Sequence, residues 1–491
     1  SPFAAATYIP LRSMLGRIGF LDYLDRVLDF YRKRGPTIGP FEIPDRSEEY
    51  EEEGGAALSS RLSAWNQALD PEWGGLGTDQ KFPPHASLLF LLYAAAGIDP
   101  DGQNRIRGLV EPTLDFMRTG GLHDHLQGGF FRYCTDRPWT IPHFEKMLYD
   151  QAQLLWIYAL AARLFDRSDY AETARGVLRC LRESFARDGL FIAGLDADTE
   201  HREGATYLWS VEELESLLDP NRRSELERIF QISEHGNFEG RNHLVMRNRR
   251  PGYEPEAVLS EGTRTLLLAA RNKRPQPTPD RLAVTSWNAL AGIALVQAWR
   301  LLGDPNALED ARRLFDTLIE RHYSGGRLYR SSLDGRLNRT SYLEDAAAML
   351  LFAGFLHEED RSRGGIIADL KALTLSFRDG TEGGDTWLES RNADCTRIPA
   401  GGFDSPLPSS FSLARAALAR ADLVVSGKAA ACSPGLPLQA DFRSWAWLHT
   451  SGIVPIVGAP EVLPWSSLPP CAVQHPADAA VLCRYGRCER L

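Results

Sequence analysis

Between residues 154 and 162 the chain reads Leu-Leu-Trp-Ile-Tyr-Ala-Leu-Ala-Ala, with no polar position on any side. A helix without a polar face is a buried helix. The stretch from Leu290 to Leu302 has the same character. Each is followed by a short turn and then by an amphipathic helix. Its apolar positions fall at helical spacing: Tyr170, Ala174, Val177, Leu178 and Leu181 in the first case, Ala307, Ala311, Leu314, Phe315 and Leu318 in the second. The turns themselves match, Arg163-Leu164-Phe165-Asp166 against Arg300-Leu301-Leu302-Gly303. The same alternation recurs at 85–117, 342–378 and, more loosely, 408–450. Fully buried helices alternating with half-buried ones are what a ring of helical hairpins requires. The pattern predicts a mainly α fold, an (α/α)6 toroid over 54–450. A stacked solenoid would show shorter, more uniform repeats.

The chain ends read differently. Residues 1–35 offer one short strand and one amphipathic helix, a remnant too small for its own core. Residues 36–53 are a proline-containing linker closing on an acidic run from Glu48 to Glu53. Residues 451–491, with Gly452-Ile453-Val454-Pro455-Ile456-Val457-Gly458, suggest a small α/β module that packs against the 1–35 remnant.

Connections leaving the buried helices are short and plain, whereas those entering them carry the chemistry. They include Gly74-Gly75-Leu76-Gly77 with Lys81-Phe82-Pro83, Trp139 with His143 and Glu145, Thr285-Ser286-Trp287-Asn288, Tyr342-Leu343-Glu344-Asp345, and Asp404 ahead of Ser409-Ser410. In a toroid the inner helices begin at one end, so these residues are expected to converge on one mouth. Pro142 fits a first helical turn, which would place His143 and Glu145 about 200° apart on a helix that started there. Two further loops are expected near the mouth, His123-Asp124-His125 within a glycine-rich aromatic segment and Asp196-Ala197-Asp198 with Glu203.

Composition narrows the partners. A net charge of −10 at pH 7 argues against nucleic acid, which needs a basic face. No apolar run reaches the ~20 residues of a membrane span, and the start lacks a secretory signal. Seven scattered cysteines do not read as a disulfide framework, so a reduced, cytoplasmic protein is the expectation. His123, His125 and Cys134 lack a clear further ligand for zinc. In Cys483-Arg484-Tyr485-Gly486-Arg487-Cys488 two free thiols or a reversible disulfide outweigh metal. Neither a metal nor a cofactor is called for.

These residues resemble a known family, the spermatogenesis-associated thioredoxin-like proteins and their bacterial YyaL-type relatives. The likeness rests on Gly128-Gly129-Phe130 with Arg132-Tyr133, the run Pro142 to Asp150, Asp196-Ala197-Asp198, Gly236-Asn237 with Glu239-Gly240, Thr285-Ser286-Trp287-Asn288, Leu343-Glu344-Asp345, and Cys483 with Cys488. It implies a thioredoxin-like module ahead of a six-hairpin toroid similar to that of N-acylglucosamine 2-epimerases. Here Pro2-Phe3 and Thr7-Tyr8-Ile9-Pro10 match only the last part of that module, without its cysteine pair. Phe131 stands where the family has histidine, Ala289 where it has glycine, and Ser410-Phe411 where it has Gly-Asn. These departures are expected to line the mouth.

Aromatic faces plus carboxylates, amides and arginine make a sugar site. The leading expectation is a sugar isomerase or epimerase in which His143 moves a proton beside a carbonyl, Glu145 sets its tautomer and Arg132 holds the oxyanion. Asp196, Asp198 and Glu344 are further catalytic candidates. Substrate would be held by Asp124, Tyr133, Trp139, Phe144, Trp287, Asn288, Asp345 and Asp404. The alternatives are glycoside hydrolysis by paired carboxylates, and a non-catalytic toroid that binds a partner, such as a separate thioredoxin-like protein.

Overall fold

The apolar stretches form the expected inner helices, in a computed structural model that describes residues 54–491 except 253–257, 380–385, 392–397, 405, 428–444, 446–447, 450–452 and 485–486. Residues 52–491 make one compact unit; the expectations for 1–35 and 36–53 lie outside the described residues. Helix α1 (Gly54–Ala68) precedes the first inner helix, α2 (His85–Gly97), whose outer partner is α3 (Pro100–Thr119). Then come inner α4 (Leu148–Phe165) with outer α5 (Ser168–Cys180), and an insert of three helices, α6 (Val211–Leu217), α7 (Pro220–Ile229) and α8 (Glu261–Arg271). Inner α9 (Thr285–Leu302) pairs with α10 (Ala307–His322), and inner α11 (Leu343–Asp360) with α12 (Gly364–Leu375). Inner α13 (Ser410–Ser426) follows.

The inner helices pack side by side in the order α2, α4, α9, α11, α13. Trp445 and His449 fill the sixth position. His449 Nε2 lies 3.5 Å from Arg420 of α13, and the Trp445 ring lies 5.2 Å from that of Tyr93 on α2, which closes the ring. The fold is thus a mainly α toroid. Burial on every side explains the apolar sequences: all of α4 except Arg163 and Leu164 is buried. Outer helices α5 and α10 are buried on one side, which holds the apolar residues that their spacing predicted together with Thr173, Gly176 and Cys180 in α5 and His322 in α10.

Inner helices α4, α9, α11 and α13 each end on a left-handed residue, Asp166, Gly303, Arg361 and Gly427. Such a residue stops a helix and turns the chain back, so the short plain turns seen in sequence are helix stops. At that end lies the C-terminal sheet. Its strand Ile456–Ala459 pairs parallel with Val473–Pro476 and antiparallel with Val481–Arg484, which pairs with Arg487–Arg490. Among the described residues this module holds four strands and one 3-10 turn, Trp465–Ser467. Trp465 donates to Glu359 of α11 at 3.0 Å and stacks on Arg300 of α9, which seats the sheet on the helix ends. The insert has its own small core, with Trp209, Leu226, Phe230 and Leu267 at its centre.

Candidate functional site

The opposite ends of the inner helices do gather. At their first turns, His85 Nε2 (α2) is 3.3 Å from Asp150 Oδ1 (α4), and Tyr149 (α4) meets the Trp287 ring (α9) edge-on at 4.9 Å. Ser286 of α9 donates through its backbone N–H to Asp345 at 3.1 Å and through its hydroxyl to Glu344 at 2.7 Å, both on α11. Gln153 of α4 donates to Pro406 O, just ahead of α13, at 3.1 Å. Four helix N-termini therefore touch one another.

The segment leading into α4 is extended, which corrects the expectation of a helix beginning at Pro142. Pro142–His143 pairs with Tyr133–Cys134, Lys146–Met147 pairs with Gly194–Leu195, and the helix starts at Leu148. Burial alternates strictly from Pro142 to Met147. A two-residue period puts alternate side chains on opposite faces. His143, Glu145 and Met147 take the open face, while Phe144 and Lys146 point inward. The 200° separation does not arise.

On the open face, His143 Nδ1 is 2.6 Å from Glu203 Oε1, and its Nε2 is 3.9 Å from Glu145 Oε2. A carboxylate only accepts, so Nδ1 carries the hydrogen and, in the neutral ring, Nε2 carries the lone pair. Glu203, not Glu145, sets the tautomer. Arg132 Nη1 binds Glu145 Oε2 at 2.8 Å. The imidazole is 30% exposed and stacks on Tyr133 at 5.2 Å, which stacks on the exposed ring of Phe82 at 4.5 Å.

A second acidic group gathers at the starts of α9 and α11. Arg330 Nη1 lies 2.9 Å from Glu344 and 3.1 Å from Asp345. Burial, reinforced by the Glu344 charge and only partly opposed by Arg330, pushes the Asp345 carboxyl up to about 8. Its Oδ2 and the Trp287 indole nitrogen are both buried without a hydrogen-bond partner. Burial likewise pushes Asp150 well up and His85 down to about 3. Burial thus disfavours the charged form of both partners.

Several expected site residues belong to the core instead. Asp124 is buried and takes Lys146 at 2.7 Å and Arg271 at 2.8 Å, so its charge is spent on two buried cations. Trp139 is fully buried with its indole N–H on Trp73 O at 3.0 Å. It packs on Gly75, where an added Cβ would lie 2.6 Å from the indole at a φ of +69°. Phe144 is fully buried, parallel to Tyr207 at 5.7 Å. Asn288 is fully buried and holds the backbone of Phe191 and Val284. Phe131 and Ala289 are buried too, so those family departures do not line the mouth.

Asp196 accepts from Asp198 N at 3.2 Å, and Asp198 pairs in register with Glu203 on a two-residue hairpin. Both are turn residues beside the site, without a contact to His143. Asp404 accepts from Ser409 N at 2.7 Å at the start of α13. Around His123 and His125 no group of three or more metal-ligating side chains exists among the described residues. Sequence reasoning placed Glu203 in a loop near the mouth without assigning it a role, and it missed Arg330, Tyr149 and His85; Arg330 had no signal.

No family model matches the chain. It is similar to spermatogenesis-associated protein 20 of Rattus norvegicus, 30% identical over 402 residues, which cover 70% of this chain and 48% of that protein. The chain spans about half the length of the curated relatives it matches. Similar solved structures include a cellobiose 2-epimerase from Bacillus thermoamylovorans, at 13% identity and TM-score 0.34, covering 73% of this chain and 96% of that one. A family 76 glycoside hydrolase from a bovine Bacteroides thetaiotaomicron strain has 10% identity and TM-score 0.45, covering 76% and 65%. Likenesses of that size reach neither substrate nor chemistry. No helix among the described residues is long and apolar enough to cross a membrane.

Proposed function

The chain belongs to the spermatogenesis-associated protein 20 family, and we propose that its toroid mouth is a sugar isomerase or epimerase site. The observation that carries this reading is the Glu203–His143 contact at 2.6 Å, which leaves Nε2 as the lone-pair nitrogen in a half-exposed ring. Nε2 takes the proton from the carbon beside a substrate carbonyl and returns it. Arg132 stabilises the enediolate oxygen, while Glu145 holds that guanidinium in place at 2.8 Å. Tyr133 and Trp287 offer the aromatic surface for the sugar. The test is exchange of the C2 proton of reducing sugars in heavy water, followed by NMR. His143→Ala abolishes exchange at unchanged melting temperature; exchange that survives the substitution removes the mechanism.

A second reading, glycoside hydrolysis, is favoured by one observation: the raised Asp345 carboxyl beside Glu344, a division into acid and base that hydrolysis uses. Under it Asp345→Asn removes aryl-glycoside cleavage and His143→Ala retains it.

A further inference from the structure

At the far end of the fold Cys483 and Cys488 are joined by a disulfide across the last two strands. They are directly opposite partners in the ladder, flanked by Leu482↔Glu489 and Arg484↔Arg487. Of the described cysteines these two are the ones that reach solvent, with Cys488 exposed and Cys483 half-buried. Cys134, Cys180 and Cys471 are buried and free, and burial raises each thiol, which keeps it inert.

The bond does little as a staple. Disulfide stabilisation grows with the length of the loop closed, and here the separation is five residues. The backbone ladder already holds the two strands together over the same span. Nor does it anchor the sheet to the toroid, which the Trp465–Glu359 and Arg300 contacts do. What remains is chemistry. Cys488 is exposed on the outermost strand of the sheet, and exposed Arg490, two residues along the same face, supplies positive charge that favours a thiolate there.

We propose that the Cys483–Cys488 hairpin is a thiol–disulfide exchange site for a dithiol reductant. The thiolate of the incoming dithiol attacks Cys488 Sγ, breaking the bond to Cys483, which leaves as thiolate and takes a proton. The second thiol of the reductant attacks the mixed disulfide and releases Cys488. Two electrons pass to the hairpin, and the dithiol becomes a disulfide. The asymmetry in exposure fixes the order, Cys488 attacked and Cys483 leaving.

The test titrates the native full chain with dithiothreitol, blocks thiols with iodoacetamide and maps the labelled cysteines by peptide mass spectrometry. Cys483 and Cys488 label together as dithiothreitol is raised, while Cys134, Cys180 and Cys471, free but buried, stay unlabelled in the folded protein at every reductant concentration, with circular dichroism unchanged. Glutathione at equal thiol concentration, lacking a second thiol, lags behind the dithiol. In single variants challenged with oxidised glutathione, Cys488 in Cys483→Ser reacts about tenfold faster than Cys483 in Cys488→Ser. Labelling that appears only as the protein unfolds overturns the proposal. So does a Cys483→Ser/Cys488→Ser double variant whose melting temperature collapses, since the bond would then be structural.

Discussion

Replacing Asp124 by asparagine separates its core role from a substrate-binding one. In the folded protein one carboxylate serves two cations: Lys146 Nζ at 2.7 Å, and Arg271 Nη1 at 2.8 and 3.1 Å. All three side chains are at most 4% exposed. Without the negative charge, Lys146 keeps Gly128 O at 3.1 Å and Arg271 keeps Gln127 Oε1 at 3.4 Å, both neutral acceptors. Two like charges then sit buried and uncompensated, a change that costs about 3–5 kcal/mol. A half-exposed carboxylate reserved for a sugar would cost no more than about 0.5 kcal/mol on the same substitution, so the two roles differ several-fold. Urea unfolding of Asp124→Asn measures the difference. The charge also predicts the pH course. The two cations hold the carboxyl well below its ordinary 3.8, so the stabilisation is full above the unfolded value and is lost as pH falls through the lower folded one. An Asp124→Asn variant as stable as the parent at neutral pH would refute the account.

Asp345 gives the opposite slope. Its folded-state value, about 8 against 3.8 for a free carboxyl, means that the native state keeps a proton the unfolded chain releases. Stability relative to Asp345→Asn therefore falls as pH rises across that window and levels off above it; parallel urea midpoints across the range would contradict this. Gly292 on α9 faces Phe352 of α11, and an added Cβ would lie 2.1 Å from that ring. Phe352 is fully buried, so Gly292→Ala overpacks the inner ring and costs about 1–3 kcal/mol in urea unfolding.

The sequence alone determined the toroid. Helices that are apolar on every side can only be inner ones, and the matching stops at Asp166 and Gly303 mark the same hairpin twice over. It also pointed to the ends where inner helices begin as the place where polar side chains gather, because those entries are long and polar and the exits are not. Tertiary structure decided which residues there face the mouth. Trp139 and Phe144 flank His143 in sequence, yet the extended backbone from Pro142 to Met147 turns Phe144 inward and His143 outward. The tautomer of His143 depends on Glu203, 60 residues away, and the core role of Asp124 on Arg271, 147 away. A carboxylate in a glycine-rich loop looks the same in sequence whether it awaits a ligand or neutralises a buried cation. Only long-range packing supplies the partner, and the partner decides the role.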